Sequence, residues 1–226
     1  MKTELPSVTL AATAFADLPY RVEPMRVADI DEVLVIDRQS FSTPWSHNAY
    51  RYEIEKNDAA HYLVLRPRQT AAVLSAGGNG HQGGKAWDRV RRWLGTGETV
   101  RKQPILGYGG LWLMYDEAHI STVAVRPEWR GHGLGELLLI AMLDQSLRLN
   151  AACVTLEVRV TNTRAQQLYK KYEFEVVGRR RGYYTDNGED ALLMTTPSLQ
   201  DRAYLARLVD LAAALRQRLL SEAQPV

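Results

Sequence analysis

The most informative segment of the sequence is V-A-V-R-P-E-W-R-G-H-G-L-G-E, from Val123 to Glu136. A hydrophobic strand ends at Val125, and three alternating glycines in a turn lead into a long apolar helix that we predict for Gly133–Asn150. A strand, a glycine-rich turn and a helix start make an anion site, because free backbone N–H groups converge there and the helix dipole adds about half a positive charge. Glycine also lets the backbone approach a pyrophosphate without a Cβ clash.

The glycine spacing fits neither of two common nucleotide-binding motifs. The dinucleotide motif G-x-G-x-x-G needs its third glycine one position later, together with an acidic residue about 20 residues downstream in a βαβ unit. The P-loop needs G-K-[ST], whereas Gly135 is followed by Glu136. The remaining pattern is R-x-x-G-x-G, from Arg130 to Gly135, and by itself it is also compatible with a turn that only starts a helix.

The composition excludes several classes of protein. The chain has 226 residues, of which 46% are hydrophobic and 24% charged, so it is long enough to bury a core and is neither disordered, collagen-like nor a coiled coil. Its one cysteine, Cys153, excludes a disulfide framework, and with five histidines we expect no metal site. No segment reaches the roughly 20 apolar residues of a membrane span, and the N-terminus is a poor secretory signal. We therefore expect a cytoplasmic protein.

Positive charge is concentrated in one segment. The net charge of the chain is +2, but the segment from Arg66 to Pro104 holds eight basic and two acidic residues, so it carries +6 and the rest carries −4. We predict a basic, glycine-rich, flexible insertion over residues 67–104. Its stretch Lys85–Leu94 carries two tryptophans at helical spacing, which could contact a membrane surface, ribosomal RNA or an acidic partner, or simply form a variable loop.

The hydrophobic patterns predict a mixed α/β domain. Strands are expected at Tyr20–Met25, His61–Leu65, Ile105–Met114, His119–Val125, Val154–Val158, Phe174–Arg181 and Ala191–Thr195. Helices are expected at Asp29–Ser40, His47–Lys56, Gly133–Asn150, Thr163–Tyr172 and Tyr204–Leu220. This order indicates one central mixed sheet flanked by helices rather than a regular βαβ alternation.

Four motifs in order resemble one known family. V-R-P-E-W-R-G-H-G-L-G resembles the acetyl-CoA pyrophosphate loop of the GNAT acetyltransferase superfamily, and Leu156–Phe174 resembles its RimI-type branch, the ribosomal-protein-alanine N-acetyltransferases. Pro44–Ser46 and Arg180–Met194 are also similar to that branch. The resemblance implies the GNAT acyl-CoA N-acyltransferase fold over residues 20–197, apart from the insertion, with an amphipathic C-terminal helix in residues 198–226 that could cap the sheet or mediate dimerisation.

The family usually has Leu-Gly-Phe at the end of the helix after its catalytic strand. Here the sequence is Tyr172-Glu173-Phe174, which removes a glycine from that turn. The departure puts the turn geometry in doubt but not the chemistry.

The resemblance implies acetyl-CoA as co-substrate and assigns residues to it. The pantetheine arm is expected on the strand backbone of Val123, Ala124 and Val125, which agrees with the N–H and C=O groups that a strand edge offers to an amide. The pyrophosphate is expected on Arg130, Gly131, His132, Gly133, Leu134, Gly135 and Glu136. Asn162 matches a cofactor-contacting asparagine of the family, although an asparagine before a helix is also a favoured N-cap.

Two residues match the catalytic positions of the family. Glu157 matches the general base that takes a proton from the substrate amine, directly or through water. A lone carboxylate in a central strand is costly unless it serves a function, but an ion pair with Arg159 or Arg126 is the alternative. Tyr169 matches the proton donor to the departing CoA thiolate, and its alternative is an ordinary aromatic of an amphipathic helix.

An N-terminal amine is a less demanding acceptor than a lysine. The pKa of an α-amine is about 7.7–8.0 and that of lysine about 10.4, a difference of about 3 kcal/mol in deprotonation. The resemblance places Trp45, Tyr183 and Tyr184 at the amine entrance, where they could bind substrate or belong to the core.

The expected function is acetyl transfer from acetyl-CoA to a protein N-terminus, in particular the N-terminal alanine of a small-subunit ribosomal protein. The transfer is expected by direct attack in a ternary complex, since Cys153 has no flanking base for an acyl-enzyme. The alternatives are a GNAT enzyme acting on lysine side chains or a small-molecule amine, and a non-catalytic acyl-CoA-binding module on the ribosome. No DNA partner is expected.

Overall fold

The computed structural model describes residues 15–68 and 103–223. In this part of the chain seven strands form one mixed sheet, in the order β1-β2-β3-β4-β5-β7-β6. The strands are β1 (Tyr20–Pro24), β2 (Ala60–Pro67), β3 (Gly107–Met114), β4 (Glu117–Val125), β5 (Cys153–Arg159), β6 (Glu175–Tyr184) and β7 (Glu189–Thr195). The α-helices are α1 (Ile30–Ser40), α2 (His47–Lys56), α3 (Leu134–Arg148), α4 (Thr163–Lys171) and α5 (Arg202–Ala223).

The observed element order agrees with the order predicted from sequence. The predicted insertion over residues 67–104 lies almost entirely outside the described residues. The ends of some elements differ from the prediction, since α3 begins after the N-cap Gly133, whose φ is +73°, and β6 continues to Tyr184. Within the described ranges, none of the helices is both long and apolar enough to cross a bilayer.

Helices cover both faces of the sheet. On one face, α3 and α5 pack on the strands in a large core that includes Leu138, Met142, Leu215 and Leu219. On the other, α1 and α2 form a second cluster around Tyr50. The C-terminal helix therefore packs along α3 in this chain, and its role in dimerisation stays a prediction.

The turn after α4 is made without the glycine that the family usually has there. Glu173 adopts a positive φ of +60°, the left-handed conformation that glycine adopts at no steric cost. The hydroxyl of Tyr204 on α5 donates to the carbonyl of Tyr172 at 3.0 Å and so ties this turn to the C-terminal helix.

Strands β4 and β5 are the parallel pair of the sheet, and they separate part of the way along. They pair from Glu117 with Cys153 as far as Ile120 with Leu156. Both strands continue beyond that point, β4 to Val125 and β5 to Arg159. The pairing of β4 with β3 is also irregular here, because its register shifts at Gly110 and Leu111. Such a bulge bends a strand and redirects its side chains, and the separation opens a gap in the centre of the sheet.

Candidate active site

A cleft with a volume of about 780 Å³ lies at the gap between β4 and β5. Its walls include β4 residues 120–123 and β5 residues 156–159, together with the loop after α1 and the turn between β6 and β7. Seven of the residues predicted from sequence line it: Trp45, Val123, Glu157, Asn162, Tyr169, Tyr183 and Tyr184. The structure thus brings both predicted catalytic residues and the predicted substrate residues to one cavity.

Glu157 is the first residue of β5 beyond the segment that pairs with β4. Its Oε2 is 2.9 Å from Nε2 of His119, and its Oε1 is 3.1 Å from Nη2 of Arg180. The side chain is only 6% exposed. These contacts replace the pairing with Arg159 or Arg126 that we considered from sequence.

His119 is held in place by its own neighbours. Its Nδ1 is 3.0 Å from Oγ1 of Thr155, and its ring stacks on Trp112 with centroids 6.1 Å apart. A hydrogen bond on Nδ1 orients the ring and presents Nε2 to Glu157. Thr155, His119 and Glu157 therefore form a chain of contacts across the two parallel strands.

The surroundings of Glu157 favour the ionised carboxylate. Burial raises its pKa, but the hydrogen bond with His119 and the charges of His119 and Arg180 outweigh this and leave the pKa below its usual value. Glu157 is therefore a carboxylate at neutral pH, ready to accept a proton but more weakly basic than an isolated glutamate.

The phenol of Tyr169 stands on α4 and lines the same cleft. Its ring packs on Phe174, with centroids 5.7 Å apart. Burial, with a smaller contribution from Tyr184, raises the pKa of Tyr169 to about 12. The hydroxyl is thus protonated throughout the physiological range, which a proton donor requires.

Trp45 both packs in an aromatic cluster and lines the cleft. Its ring lies 5.4 Å from Tyr50 and 6.2 Å from Trp112. Its backbone N–H donates to the buried carboxylate of Asp37 at 2.7 Å, and Asp37 also accepts from the hydroxyls of Tyr50, at 3.1 Å, and Tyr108. Asp37 thereby fixes the loop that carries Trp45.

The turn between β6 and β7 forms the opposite wall, and Arg159 anchors it. The Arg159 guanidinium bonds both oxygens of Asp186 at 2.9 Å, contacts Glu189 at 3.0 Å and lies 3.8 Å from the ring centre of Tyr184. The hydroxyl of Ser42 donates to Asp186 at 2.6 Å and joins this turn to the loop after α1. The aromatic wall is therefore rigidly supported.

The predicted phosphate loop lies beyond the end of β4, outside the lining of the cleft. Gly131 and Gly133 have φ values of +91° and +73°. Among the described residues, the first backbone N–H of α3 with a protein acceptor is that of Leu137, which donates to Gly133 at 3.0 Å. The N–H groups at the start of α3 are therefore available to an anion.

The other predicted cofactor residues have varied surroundings. Arg130 donates from Nε to the carbonyl of Val125 at 2.9 Å and from Nη2 to Ser40 at 3.0 Å, so its side chain ties the loop to the strand end. Ala124, Val125 and Leu134 have buried side chains, so only their backbone can contact a ligand. Asn162 caps α4 by accepting from the N–H of Ala165 at 3.2 Å. His132 and Gly135 are half-buried.

The carboxylate of Glu136 points to protein cations rather than to solvent. It accepts from Lys171 and Arg218 at 2.5 Å each and from the hydroxyl of Tyr172 at 2.7 Å. Its predicted contact with cofactor can therefore involve its backbone, while its side chain organises this cluster.

Sequence reasoning missed His119, Arg180 and the anchoring role of Arg159. A histidine on a predicted strand gives no signal of its partner on another strand, and a basic run such as Arg179–Arg181 is more often a solvated face than a site. Arg180 departs from that pattern, since its Nη2 lies 3.1 Å from Oε1 of Glu157. In the described ranges, no group of three or more His, Cys, Asp or Glu side chains has the arrangement of a metal site.

Comparisons with known proteins show the family of this chain. The model of the Acetyltransferase (GNAT) family matches residues 30–174. The protein named "Putative ribosomal protein bS18-alanine N-acetyltransferase" in Bacillus subtilis (strain 168) is 36% identical over 173 residues, which cover 76% of this chain and 92% of the relative. An N-alpha-acetyltransferase of Sulfurisphaera tokodaii is 30% identical over 179 residues, which cover 79% and 93%.

A solved structure shows the same fold. The crystal structure of the ribosomal-protein-S18-alanine N-acetyltransferase from Escherichia coli superposes with a TM-score of 0.58 at 23% identity, covering 81% of this chain and 97% of that chain. At this identity the likeness concerns the fold alone.

Proposed function

The chain belongs to the acetyltransferase (GNAT) family and is an acyl-CoA-dependent N-acetyltransferase, and on this premise we propose that it acetylates the N-terminal α-amine of a protein. The proposed substrate is the N-terminal alanine of a small-subunit ribosomal protein, the residue named for the relative from Bacillus subtilis. The observation that carries the proposal is the placement of Glu157 and Tyr169 in one cleft between the separated strands. We assign this activity to a domain at residues 20–197.

The chain offers groups that fit acetyl-CoA. The N–H groups at the start of α3 fit its diphosphate. Beyond Ile120, β4 has lost β5 as a neighbour, so the backbone of residues 121–125 can bond the amides of the pantetheine arm. Thr122 is part of the cleft wall, and within the described ranges its Oγ1 is buried without a hydrogen-bond partner. Buried polar groups usually have a partner, so a bound ligand is expected to supply one here. When bound, acetyl-CoA supplies the acetyl thioester.

The pair formed by His119 and Glu157 accepts the proton of the substrate amine. The ionised carboxylate of Glu157 is directly bonded to His119, and a water within the cleft can link the pair to the amine. Because the two groups are coupled, the accepted proton belongs to the pair rather than to the carboxylate alone. The neutral amine then attacks the thioester carbon directly. The N–C bond forms, the C–S bond breaks, and the remaining surplus proton on the nitrogen passes to water in the cleft.

Tyr169 donates a proton to the CoA thiolate that leaves. A thiol has a pKa of about 8.5, well below the value of about 12 at Tyr169, so this transfer is uphill in the ground state. Positioning of the phenol beside the sulfur therefore has to lower the free-energy barrier to this proton transfer.

An α-amine suits this weak base better than a lysine does. At neutral pH roughly 10% of an α-amine is neutral but less than about 0.1% of a lysine, from their ordinary pKa values. Trp45 on one side of the cleft, with Tyr183 and Tyr184 on the other, can confine a short extended N-terminus. Contact with the ribosome through residues 67–104 stays a prediction, since nearly all of that segment lies outside the described residues.

The test uses acetyl-CoA and peptides of one sequence that differ only at the N-terminal residue. A peptide with a free N-terminal alanine should gain one acetyl group, located by fragmentation mass spectrometry. The control peptide has a blocked N-terminus and an internal lysine. Acetylation of the control at an equal rate would contradict the proposal and favour lysine as acceptor, and acetylation of small amines alone would favour a metabolic enzyme.

A further inference from the structure

The C-terminal helix α5 reaches the predicted phosphate loop through Arg218. A Cβ built on Gly133 would lie 3.0 Å from Nη2 of Arg218, 3.1 Å from Leu219 and 3.3 Å from Leu215. Leu215 and Leu219 are each 1% exposed, which fixes this end of the helix against α3. The family match ends at residue 174, so α5 lies outside the matched region.

The guanidinium of Arg218 bonds one carboxylate and has further N–H donors available. Its Nη2 bonds Oε2 of Glu136 at 2.5 Å, and the side chain is 43% exposed. Across the described ranges, Glu136 is the acceptor that this guanidinium bonds, which leaves Nε and Nη1 to donate elsewhere. A ligand at the loop can therefore bond Arg218 without breaking its contact with Glu136.

The charges around Arg218 favour an anion. Glu136 is paired with two cations, Lys171 and Arg218, so the cluster carries one excess positive charge. It adjoins the start of α3, where the helix dipole also favours negative charge. A second guanidinium lies nearby, since Nη2 of Arg164 is 3.8 Å from a Cβ built on Gly131.

We propose that Arg218 of the C-terminal helix binds a phosphate group of acetyl-CoA at the loop formed by residues 131–136. This inference rests on the proposed function, since it takes the cofactor to occupy that loop. Two guanidiniums, from α4 and α5, then flank the phosphate while the loop supplies backbone N–H groups. Arginine suits this role because its planar fork matches the geometry of phosphate oxygens. The C-terminal helix is thereby part of the cofactor site as well as a cover for α3.

The test measures binding of CoA to the full chain by titration calorimetry, with no acceptor present. Arg218→Gln should raise the dissociation constant about tenfold, equivalent to about 1.4 kcal/mol, and Arg218→Lys should restore part of the affinity. Arg207→Gln is the matched control, because Arg207 lies on the same helix and faces Glu173 at 3.9 Å. That variant should bind CoA like the wild type.

A second ligand and a second protein background distinguish the reasons for which Arg218→Gln could weaken CoA binding. With 3′-dephospho-CoA as ligand, an unchanged loss from Arg218→Gln indicates the diphosphate, and a smaller loss indicates the 3′-phosphate; both support the proposal. A purely structural role predicts that Arg218→Gln has no effect in the Glu136→Gln background, whereas phosphate binding predicts that the loss persists. Equal binding by wild type and Arg218→Gln overturns the inference. Failure of the wild type to bind CoA at all would instead overturn the proposed function.

Discussion

Oε2 of Glu157 and Nε2 of His119 are 2.9 Å apart, although the two residues belong to different strands and are 38 positions apart in the sequence. The contact forms where β4 and β5 stop pairing, so the same backbone feature that opens the cleft also places the carboxylate of Glu157 in its wall. In the proposed mechanism, the gap that admits acetyl-CoA therefore also holds the group that accepts the amine proton.

Glu157→Gln should lower kcat by about 100-fold or more, in line with the usual contribution of a general base. The amide keeps the shape of the side chain, so the dissociation constant of CoA should stay within about twofold of the wild type. Steady-state kinetics with the alanine peptide, together with CoA titration, measure both quantities. Full activity of Glu157→Gln would remove the carboxylate from the mechanism.

His119→Gln should also lower kcat, by about tenfold, because the carboxylate of Glu157 loses its partner in proton acceptance. Thr155→Val is the companion variant, since it leaves the imidazole in place and removes only the contact with Nδ1. A small loss in Thr155→Val beside a large loss in His119→Gln supports direct participation of the ring. Equal small losses would limit His119 to packing.

Tyr169→Phe should lower kcat by about 100-fold with little change in the KM of the peptide. Because burial raises the pKa of Tyr169 to about 12, its deprotonation should cause no decline in wild-type activity below about pH 11. The rise of kcat/KM with pH should follow the substrate amine, whose pKa is about 7.7–8.0. A descending limb near pH 9 that disappears in Tyr169→Phe would contradict this assignment.

Gly133→Ala should destabilise the fold more than Gly182→Ala does. Both glycines have positive φ, +73° and +58°, so each alanine costs about 1–2 kcal/mol of backbone strain. Only at Gly133 does the new Cβ also meet Arg218, Leu219 and Leu215 within 3.0–3.3 Å, whereas nothing lies within 4 Å at Gly182. The difference in free energy of unfolding, measured by urea denaturation, should be about 1 kcal/mol or more. Equal losses would mean that α5 does not pack on the loop as described.

Acid should destabilise the wild type more than Glu136→Gln. Burial raises the pKa of Glu136, but hydrogen bonds from Lys171, Arg218 and Tyr172 outweigh this and leave it below its usual value. A lowered pKa means that the stabilisation is fully present above the unfolded pKa of about 4.3 and is lost as the pH falls through the folded pKa. Urea denaturation between about pH 6 and pH 3 should show a shallower decline in the variant. Parallel declines would show that Glu136 contributes nothing to acid sensitivity.

The sequence was sufficient to predict the order of the elements and seven of the residues that line the cleft. Alternation along β5 places Val154, Leu156 and Val158 in the core and Glu157 on the other face, and both are observed. The glycine pattern predicts the turn before α3 because a positive φ at Gly133 has a recognisable sequence signature.

The pairing between distant elements could not be predicted. The partners of Glu157 come from β4 and β6, and since β7 lies between β5 and β6, the register of four strands determines which side chains meet. The same limit explains Glu136, whose neighbours lie on α4 and on α5 beyond residue 200. Local spacing says nothing about such contacts.

The most direct test of the account is a crystal structure with CoA joined covalently to the α-amine of an alanine peptide. The account predicts the diphosphate on the N–H groups of residues 131–136, the acyl linkage between β4 and β5, and the side chains of Glu157 and Tyr169 on either side of it within hydrogen-bond reach, directly or through one water. A diphosphate bound elsewhere, or an acyl linkage remote from Glu157, would contradict it.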